Sequence, residues 1–222
     1  MDQFAQRLRE LLPAGCGTAV AAIASPAASR FAGEEALVAA AAPKRRREFR
    51  AGRSTARRAL ADIGGPAGEI LARPEGDPIW PAGFVGSITH ADTAAAAIAA
   101  PTQILAGIGL DLELADALDD ELKPFVCRAD ERTDEPALVS RGIDVAKLRF
   151  VAKEAWFKAA FPLVRQAFDF LDVRVIFEAE TDSFRIEMEG SGEAASWAAD
   201  PRMVGRFLQA DGLVAATAYF QA

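Results

Sequence analysis

The chain has 222 residues, 51% of them hydrophobic, and its 25 Lys and Arg residues against 32 Asp and Glu residues give a net charge of -7. This negative charge argues against a general nucleic-acid binder, because a phosphate backbone attracts proteins with an excess of basic residues. No apolar run approaches the length of a membrane span, so the sequence predicts a soluble globular protein of one large or two small domains.

Helical and strand-like hydrophobic patterns alternate along the chain, and prolines and glycines separate them. The predicted elements are, in chain order, a helix over residues 4–12, a strand over 18–25, helices over 33–42 and 43–63, a loop or edge strand over 69–81, strands over 93–100 and 104–115, an interrupted helical region over 118–142, a helix over 144–160 that Pro162 ends, a hairpin over 172–180 and 183–190, and a last strand over 213–220. A helix followed by strands occurs in both halves, which predicts an α+β fold with a pseudo-duplication.

The clearest strand contains the stretch GIGLDLE, in which apolar residues alternate with glycines and acids. Asp111 and Glu113 are two positions apart, so a strand directs both carboxylates to one face, about 7 Å from each other. Two carboxylates at that distance repel each other unless a cation lies between them.

A basic cluster over residues 44–58 contains eight Lys and Arg residues and one acid, Glu48. In an acidic protein such a cluster indicates a local anion site. Arg45 and Arg53 are about two helical turns apart, so they can contact separate phosphates. The alternative is a solvated helix face, which a charge run alone favours.

The stretch GSITH contains the one histidine of the chain, His90. Gly86 and Ser87 predict a tight turn that brings the backbone close to a ligand, and His90 follows where an imidazole can donate to a phosphate oxygen. A purely structural role for the histidine stays open, and no nucleophile motif such as GxSxG accompanies it.

Glu154 and Lys158 are one turn apart on the helix predicted over 144–160, and the simplest interpretation is an exposed ion pair. Aromatic residues surround the pair in FVAKEAWFKAAFP, so at least one of the two charges is expected beside buried surface, where it needs a partner. The acids Asp111, Glu113 and Glu154, together with the arginines and the histidine, describe a site for magnesium and a polyphosphate.

Four motifs, RRREFxxGRxxAR, PIWPAGFVGSITH, GIGLDLE and FxxKEAWFKA, follow one another between residues 33 and 172. In this order and at these spacings they resemble the 4′-phosphopantetheinyl transferases of the enterobactin-synthetase and surfactin-synthetase type. The resemblance implies a pseudo-dimer of two similar α+β halves, residues 1–105 and 106–222, with coenzyme A bound in the cleft between them. It also implies transfer of phosphopantetheine from coenzyme A to a serine of an apo acyl, peptidyl or aryl carrier protein, with release of adenosine 3′,5′-bisphosphate.

The resemblance also assigns roles to individual residues of this sequence. Those implied for Mg²⁺ are Asp111, Glu113 and Glu154, and those implied for the phosphates of coenzyme A are Arg45, Arg53, Thr89, His90 and Lys158. Glu154 is in addition the expected base for the serine proton, and Lys158 the residue that stabilises the pyrophosphate as it cleaves. Relatives commonly have a basic residue near Ala72, and Arg73 is the expected substitute.

Two other functions fit parts of the pattern. One is a magnesium-dependent nuclease or phosphohydrolase, against which stands the lack of a further acid cluster for a second metal. The other is a nucleic-acid or nucleotide-binding module without catalysis, which leaves the paired acids of GIGLDLE unexplained.

The carrier protein, an acidic helical bundle, is expected to dock on the carboxyl-terminal half through Leu118, Leu122 and Phe125, unless these residues pack on the core. Cys16 and Cys127 have neither the spacing of a zinc site nor that of a disulfide framework, which favours a reducing compartment. We therefore expect a cytoplasmic protein, and we separately expect it to be a monomer.

Overall fold

The computed structural model describes residues 2–23, 29, 31–131, 135–188 and 193–222. Within them the helices are α1 (Asp2–Glu10), α2 (Ala32–Leu37), α3 (Pro43–Asp62), α4 (Lys123–Val126), α5 (Pro136–Val139), α6 (Val145–Val164) and α7 (Glu193–Ala198). The strands are β1 (Gly17–Ala22), β2 (Phe84–His90), β3 (Ala94–Pro101), β4 (Leu105–Leu114), β5 (Val173–Glu178), β6 (Ser183–Met188), β7 (Met203–Ala210) and β8 (Leu213–Gln221). Short 3-10 turns cover Ala129–Glu131 and Phe170–Asp172.

Two antiparallel sheets form the centre of the fold, which confirms the predicted mixture of α and β structure. Among the described residues, one sheet has three strands in the order β1-β3-β2 and the other has five in the order β4-β8-β7-β6-β5. A helix of 20 residues packs on each sheet, α3 on the first and α6 on the second. None of the helices in this part of the chain is both long and apolar enough to cross a membrane.

Hydrophobic alternation correctly predicted most of the strands. The stretch GIGLDLE lies in β4, whose even-numbered apolar residues face a buried cluster. The alanine-rich run is the buried strand β3, and β5 and β6 form the predicted hairpin. The predicted strand ends at residues 24–25 and 189–190 lie outside the described residues. β7 was not predicted, because Gly205 and Arg206 interrupt its alternation.

Two helix ends differ from the prediction. Pro162 does not end α6, which continues to Val164 and ends at Arg165 with a left-handed φ of 51°. The proline removes only the hydrogen bond of its own nitrogen to the carbonyl four residues earlier. The residues after it keep their N–H groups, and that of Arg165 still donates to the carbonyl oxygen of Phe161 at 2.9 Å. The helix predicted over 33–42 already stops at Leu37, and turns lead from there to α3.

The tight turn expected at Gly86 and Ser87 is also wrong, because both residues lie inside β2 and pair with β3. Gly86 is needed there for a different reason. A Cβ at this position would lie 2.5 Å from the carbonyl oxygen of Ile98 and 2.5 Å from the ring of Trp80. The glycine therefore allows close packing and not a turn.

One hydrophobic cluster contains residues of both halves of the chain. Phe4 and Leu8 of α1 pack there with Ile98 of β3, Leu110 of β4 and Tyr219 of β8. Because α1 contributes its apolar face to this shared cluster, the amino-terminal helix covers the junction of the two sheets.

β4 approaches the backbone of α6 more closely than side chains would allow. A Cβ on Gly109 would overlap the carbonyl oxygen of Ala155, and one on Gly107 would lie 2.7 Å from the carbonyl oxygen of Ala159. These oxygens belong to the helix backbone and cannot yield as a flexible side chain does. The two glycines thus set the distance between strand and helix, and Asp111 follows them on the same face.

We expect Gly109→Ala to lower the free energy of unfolding by about 3 kcal/mol, because the added methyl group forces β4 away from α6. Denaturant unfolding measures the change. Gly68→Ala is the matched control, since a Cβ there has no other atom within 4 Å, and it should change the stability by less than about 0.5 kcal/mol. Equal losses in the two variants would contradict the close packing.

Candidate active site

The carboxylate of Asp111 joins three elements of the fold. It is buried on β4, where its Oδ1 accepts hydrogen bonds from Lys158 Nζ at 2.6 Å and from Thr89 Oγ1 at 3.0 Å. Lys158 Nζ also donates to the carbonyl oxygen of Leu110 at 3.3 Å. Because Thr89 belongs to β2 and Lys158 to α6, these contacts connect both sheets to the long helix. The expectation that a charge of the Glu154–Lys158 pair lies beside buried surface is confirmed.

The second oxygen of Asp111 has no equivalent contact. Its Oδ2 is buried and forms no hydrogen bond within the described structure. Burial raises the pKa of Glu113, and the nearby charge of Asp111 raises it further. Burial also raises the pKa of Glu154, against the opposing effect of Lys158. For both glutamates burial outweighs the nearby lysines, and a divalent cation would favour the charged carboxylates further.

Asp111, Glu113 and Glu154 are the predicted magnesium ligands. Across residues 2–23, 29, 31–131, 135–188 and 193–222, no group of three or more His, Cys, Asp or Glu side chains is arranged to hold a metal ion. The donor set itself fits magnesium, which prefers carboxylate oxygens and keeps several waters. The free Oδ2 of Asp111 fits it as well. Magnesium binding by the three acids stays a prediction.

His90 contacts the basic cluster at the start of α3. Its Nε2 lies 3.0 Å from Nη1 of Arg45 and 3.9 Å from Oε2 of Glu48. Burial lowers the pKa of His90, Glu48 acts in the opposite direction, and Arg45 lowers it again. Arg45 is exposed, so a phosphate can reach this pair of side chains from solvent.

Arg53 does not contact Arg45 or His90, although Arg45 and Arg53 were both predicted to bind phosphates. It is buried, and its Nε donates to the carbonyl oxygen of Ile70 at 2.7 Å. Burial lowers its pKa to about 10. Glu34, which is fully buried and pairs with Arg57, accepts from the N–H of Ile70 at 2.9 Å. Arg53 and Glu34 thus bind both backbone groups of one residue, and a phosphate contact of Arg53 stays a prediction.

A cavity of about 730 Å³ lies between β2 and its preceding loop on one side and β4 and α6 on the other. Apolar residues form much of its wall, and its charged residues are Arg73, Glu75, Asp77, Glu154, Lys158 and Arg165. A volume of this size is typical of sites for small ligands and cofactors. The two candidate catalytic residues, Glu154 and Lys158, therefore face a space that both halves of the chain enclose.

An ionic contact that the sequence did not reveal crosses this cavity. Asp77 accepts a hydrogen bond from Arg73 at 2.6 Å and from Arg165, at the end of α6, at 3.2 Å. Arg73, the expected substitute for a basic residue near Ala72, therefore lies at the cavity with its charge balanced by Asp77. Asp77 and Arg165 are 88 positions apart, and no local pattern in the sequence indicates that they meet.

A second cavity, of about 140 Å³, also reaches Glu154. Its wall contains the aromatic residues Phe157, Phe168 and Phe170 and the stem of Lys153. Glu154 lines both cavities, so ligands in the two cavities would share this residue.

Sequence profiles of one known family match both halves of the chain. The profile of the 4′-phosphopantetheinyl transferase N-terminal domain matches residues 33–100, and the profile of the 4′-phosphopantetheinyl transferase superfamily matches residues 107–217. The chain belongs to the 4′-phosphopantetheinyl transferase superfamily.

Individual relatives agree with this assignment over most of their length. The 4′-phosphopantetheinyl transferase PptT of Mycobacterium tuberculosis is 34% identical over 164 residues, which cover 71% of this chain and 72% of the relative. Svp of Streptomyces mobaraensis is 34% identical over 85% of this chain and 78% of its own, and Npt of Nocardia iowensis 35% identical over 79% of each. The transferase predicted from the four motifs is confirmed, and neither the nuclease or phosphohydrolase nor the non-catalytic module is supported.

We expect Lys158→Met to lower the free energy of unfolding at neutral pH by about 2 to 3 kcal/mol, because it leaves the buried Asp111 without its cation. Denaturant unfolding in the presence of EDTA measures this. Lys147→Met is the matched control, since Lys147 pairs at 2.9 Å with the exposed Asp116, and such a pair contributes less than about 1 kcal/mol. A similar small loss in both variants would show that Lys158 forms only an ordinary surface pair.

Proposed function

We propose that this transferase moves the 4′-phosphopantetheine group of coenzyme A to a serine of an apo acyl, peptidyl or aryl carrier protein, in the cleft between its two halves. The observation that carries the proposal is the position of Glu154 and Lys158 on one wall of the 730 Å³ cavity, opposite residues of β2. Lys158 is held there by Asp111, and Thr89 of the other half binds the same carboxylate.

We further propose that residues 1–105 and 106–222 are the two halves of a pseudo-dimer. Each half places a 20-residue helix on an antiparallel sheet, and the two family profiles meet between residues 100 and 107. Because one chain supplies both walls of the cleft, a monomer suffices for activity. Cys16 and Cys127 are free thiols buried in separate clusters, as expected for a protein of the reducing cytoplasm.

Coenzyme A would be held at its two charged regions. Arg45 and His90, in contact at 3.0 Å, are suited to its 3′-phosphate. Lys158 faces the cavity where the pyrophosphate would lie. Thr89 lies close to Lys158, because both side chains donate to the same oxygen of Asp111. Asp111, Glu113 and Glu154 would hold Mg²⁺, which when bound compensates the charge of the pyrophosphate.

The reaction needs no nucleophile from this protein. The serine oxygen of the carrier attacks the β-phosphorus of coenzyme A, and the bond from that phosphorus to the bridging oxygen breaks. Glu154 accepts the serine proton, and the ammonium group of Lys158 stabilises the charge that develops on the departing adenosine 3′,5′-bisphosphate. The carboxylate of Glu154 is suited to this because it lines both cavities.

Intact-mass spectrometry of a purified apo carrier protein, incubated with this protein, coenzyme A and magnesium, tests the function directly. We expect the carrier to gain one phosphopantetheine group, and Glu154→Gln or EDTA to prevent the gain. Hydrolysis of coenzyme A with no change in carrier mass would overturn the proposal in favour of a phosphohydrolase.

The carrier protein is proposed to dock on the exposed side of α4. Of the three predicted docking residues, Leu118 is only 5% exposed and packs in a small core cluster, so its docking role is wrong. Leu122 and Phe125 are 50% and 69% exposed. Residues 106–222 contain 22 Asp and Glu against 13 Lys and Arg, so an acidic carrier gains no general attraction there. Apolar contacts must therefore provide the affinity.

We expect wild-type protein to bind coenzyme A more tightly than dephospho-coenzyme A by about 1.5 to 3 kcal/mol, the value of a charge-assisted hydrogen bond to the 3′-phosphate. In Arg45→Ala this difference should largely disappear. Titration calorimetry measures the affinity of each protein for both ligands. Arg46→Ala is the matched control, because Arg46 donates to the backbone carbonyls of Ala41 and Ala39 and should keep the difference. An unchanged preference in Arg45→Ala would move the 3′-phosphate elsewhere.

We expect Phe125→Asp to raise the KM for the carrier protein at least about tenfold, the effect of losing an interface hot spot, without changing the affinity for coenzyme A. Steady-state kinetics with varied carrier concentration measures it. Val139→Asp, at another exposed apolar residue on a short helix, should leave the KM unchanged. The docking surface lies elsewhere if both variants behave as wild type.

A further inference from the structure

Directly beside Glu154 on α6 lies a lysine that the proposed reaction does not use. Lys153 is only 2% exposed. Its ammonium group donates to Glu131 Oε2 at 2.6 Å, to the carbonyl oxygen of Val126 at 2.8 Å and to that of Phe170 at 2.9 Å. These three acceptors satisfy the three protons of the ammonium group. Two of them lie in residues 123–131, and the third, Phe170, lies in the 3-10 turn before β5.

Its partner Glu131 is buried to the same degree and is also fully engaged. Oε2 accepts a second hydrogen bond from the N–H of Arg128 at 3.0 Å, and Oε1 accepts one from the N–H of Val175 on β5 at 2.6 Å. The pair therefore ties the 3-10 turn after α4 to β5 as well as to α6.

The segment that this pair holds cannot position itself. α4 has four residues and the following 3-10 turn has three, lengths at which a helix in water has almost no stability of its own. Val126 is buried in the same small cluster as Leu118, whereas Phe125 is exposed to solvent. Lys153 binds the carbonyl of Val126, so the exposed ring of Phe125 is one residue from a point fixed to the neighbour of Glu154.

We propose that Lys153 and Glu131 are positioning residues, which fix the segment Lys123–Glu131 relative to Glu154 so that a docked carrier presents its serine to that carboxylate. This inference rests on the proposed function, since it concerns the same reaction. It distinguishes the pair from a mere source of stability. A buried ion pair can often be replaced by apolar residues of similar volume without loss of stability, but apolar residues cannot bind four backbone groups, two in residues 123–131 and two in residues 170–175.

The double variant Glu131→Met/Lys153→Met tests the proposal, because methionine adapts to the space of either side chain and leaves no unpaired charge. The matched control is Glu135→Met/Arg149→Met. Arg149 is also buried, lies one turn earlier on α6 and pairs with Glu135 at 3.2 Å, but it makes no bond to α4. Four quantities are measured: the melting temperature, the affinity for coenzyme A, kcat/KM for the carrier, and amide hydrogen exchange of residues 123–131.

We expect the test variant to fold and to bind coenzyme A within about twofold of wild type, while kcat/KM for the carrier falls about 100-fold. A misplacement of about 1 Å is enough for such a loss. Exchange of the amides in residues 123–131 should rise at least tenfold. The control variant should change neither the kinetics nor the exchange of this segment.

Wild-type carrier kinetics and unchanged exchange in the test variant would overturn the proposal, as would equal losses of carrier activity and coenzyme A affinity. Should the double variant fail to fold, Glu131→Gln keeps the shape and weakens the contact with Lys153, and the same selective loss is expected in smaller measure. Should wild-type protein modify no carrier, the proposed function fails, while the exchange measurement still decides whether the pair fixes the segment.

Discussion

The ion pair between Lys158 and Asp111 holds α6 to β4 at the distance that the glycines of β4 allow. Lys158 can reach Asp111 because the glycines that precede Asp111 in β4, such as Gly109, let the strand pack directly on the backbone of α6. Thr89 contacts the same oxygen from β2. The predicted ligands of the metal and the phosphates lie on these three elements or on α3, which packs against β2. A shift of one element would therefore disturb the others.

In each half of the chain a buried basic side chain binds backbone carbonyl groups. Arg53 of α3 binds the carbonyl of Ile70, and Lys153 of α6 binds the carbonyls of Val126 and Phe170. The carbonyls belong to segments outside the sheets, where backbone groups lack the regular partners that a ladder supplies. A long basic side chain from a rigid helix provides several donors at one point. The irregular segments beside the cleft are thereby held to the two most regular elements of the fold.

The sequence predicted those features that depend on a local repeat. β4 and β3 could be recognised because a buried strand shows its pattern within eight or ten residues. Gly86 and Pro162 were misjudged because each has a local meaning, turn or helix end, that its surroundings override. The burial of Arg53 could not be predicted, because a cluster of arginines on a helix does not show which one faces inward. For Gly86 and Arg53 the deciding neighbours, Ile98 and Ile70, lie elsewhere in the chain, and only the folded arrangement brings them close.

Because Arg53 is buried and Arg45 is exposed, loss of either arginine is expected to have a different consequence. Arg45 is exposed beside His90, so its loss would leave an intact protein that, given the proposed role of Arg45, binds coenzyme A more weakly. Losing Arg53 would release Ile70 and leave Glu34 with less positive charge nearby. The amount of folded protein in cells would then fall, because quality control removes unfolded chains. An Arg53 allele would accordingly be temperature-sensitive, whereas an Arg45 allele would be defective at every growth temperature.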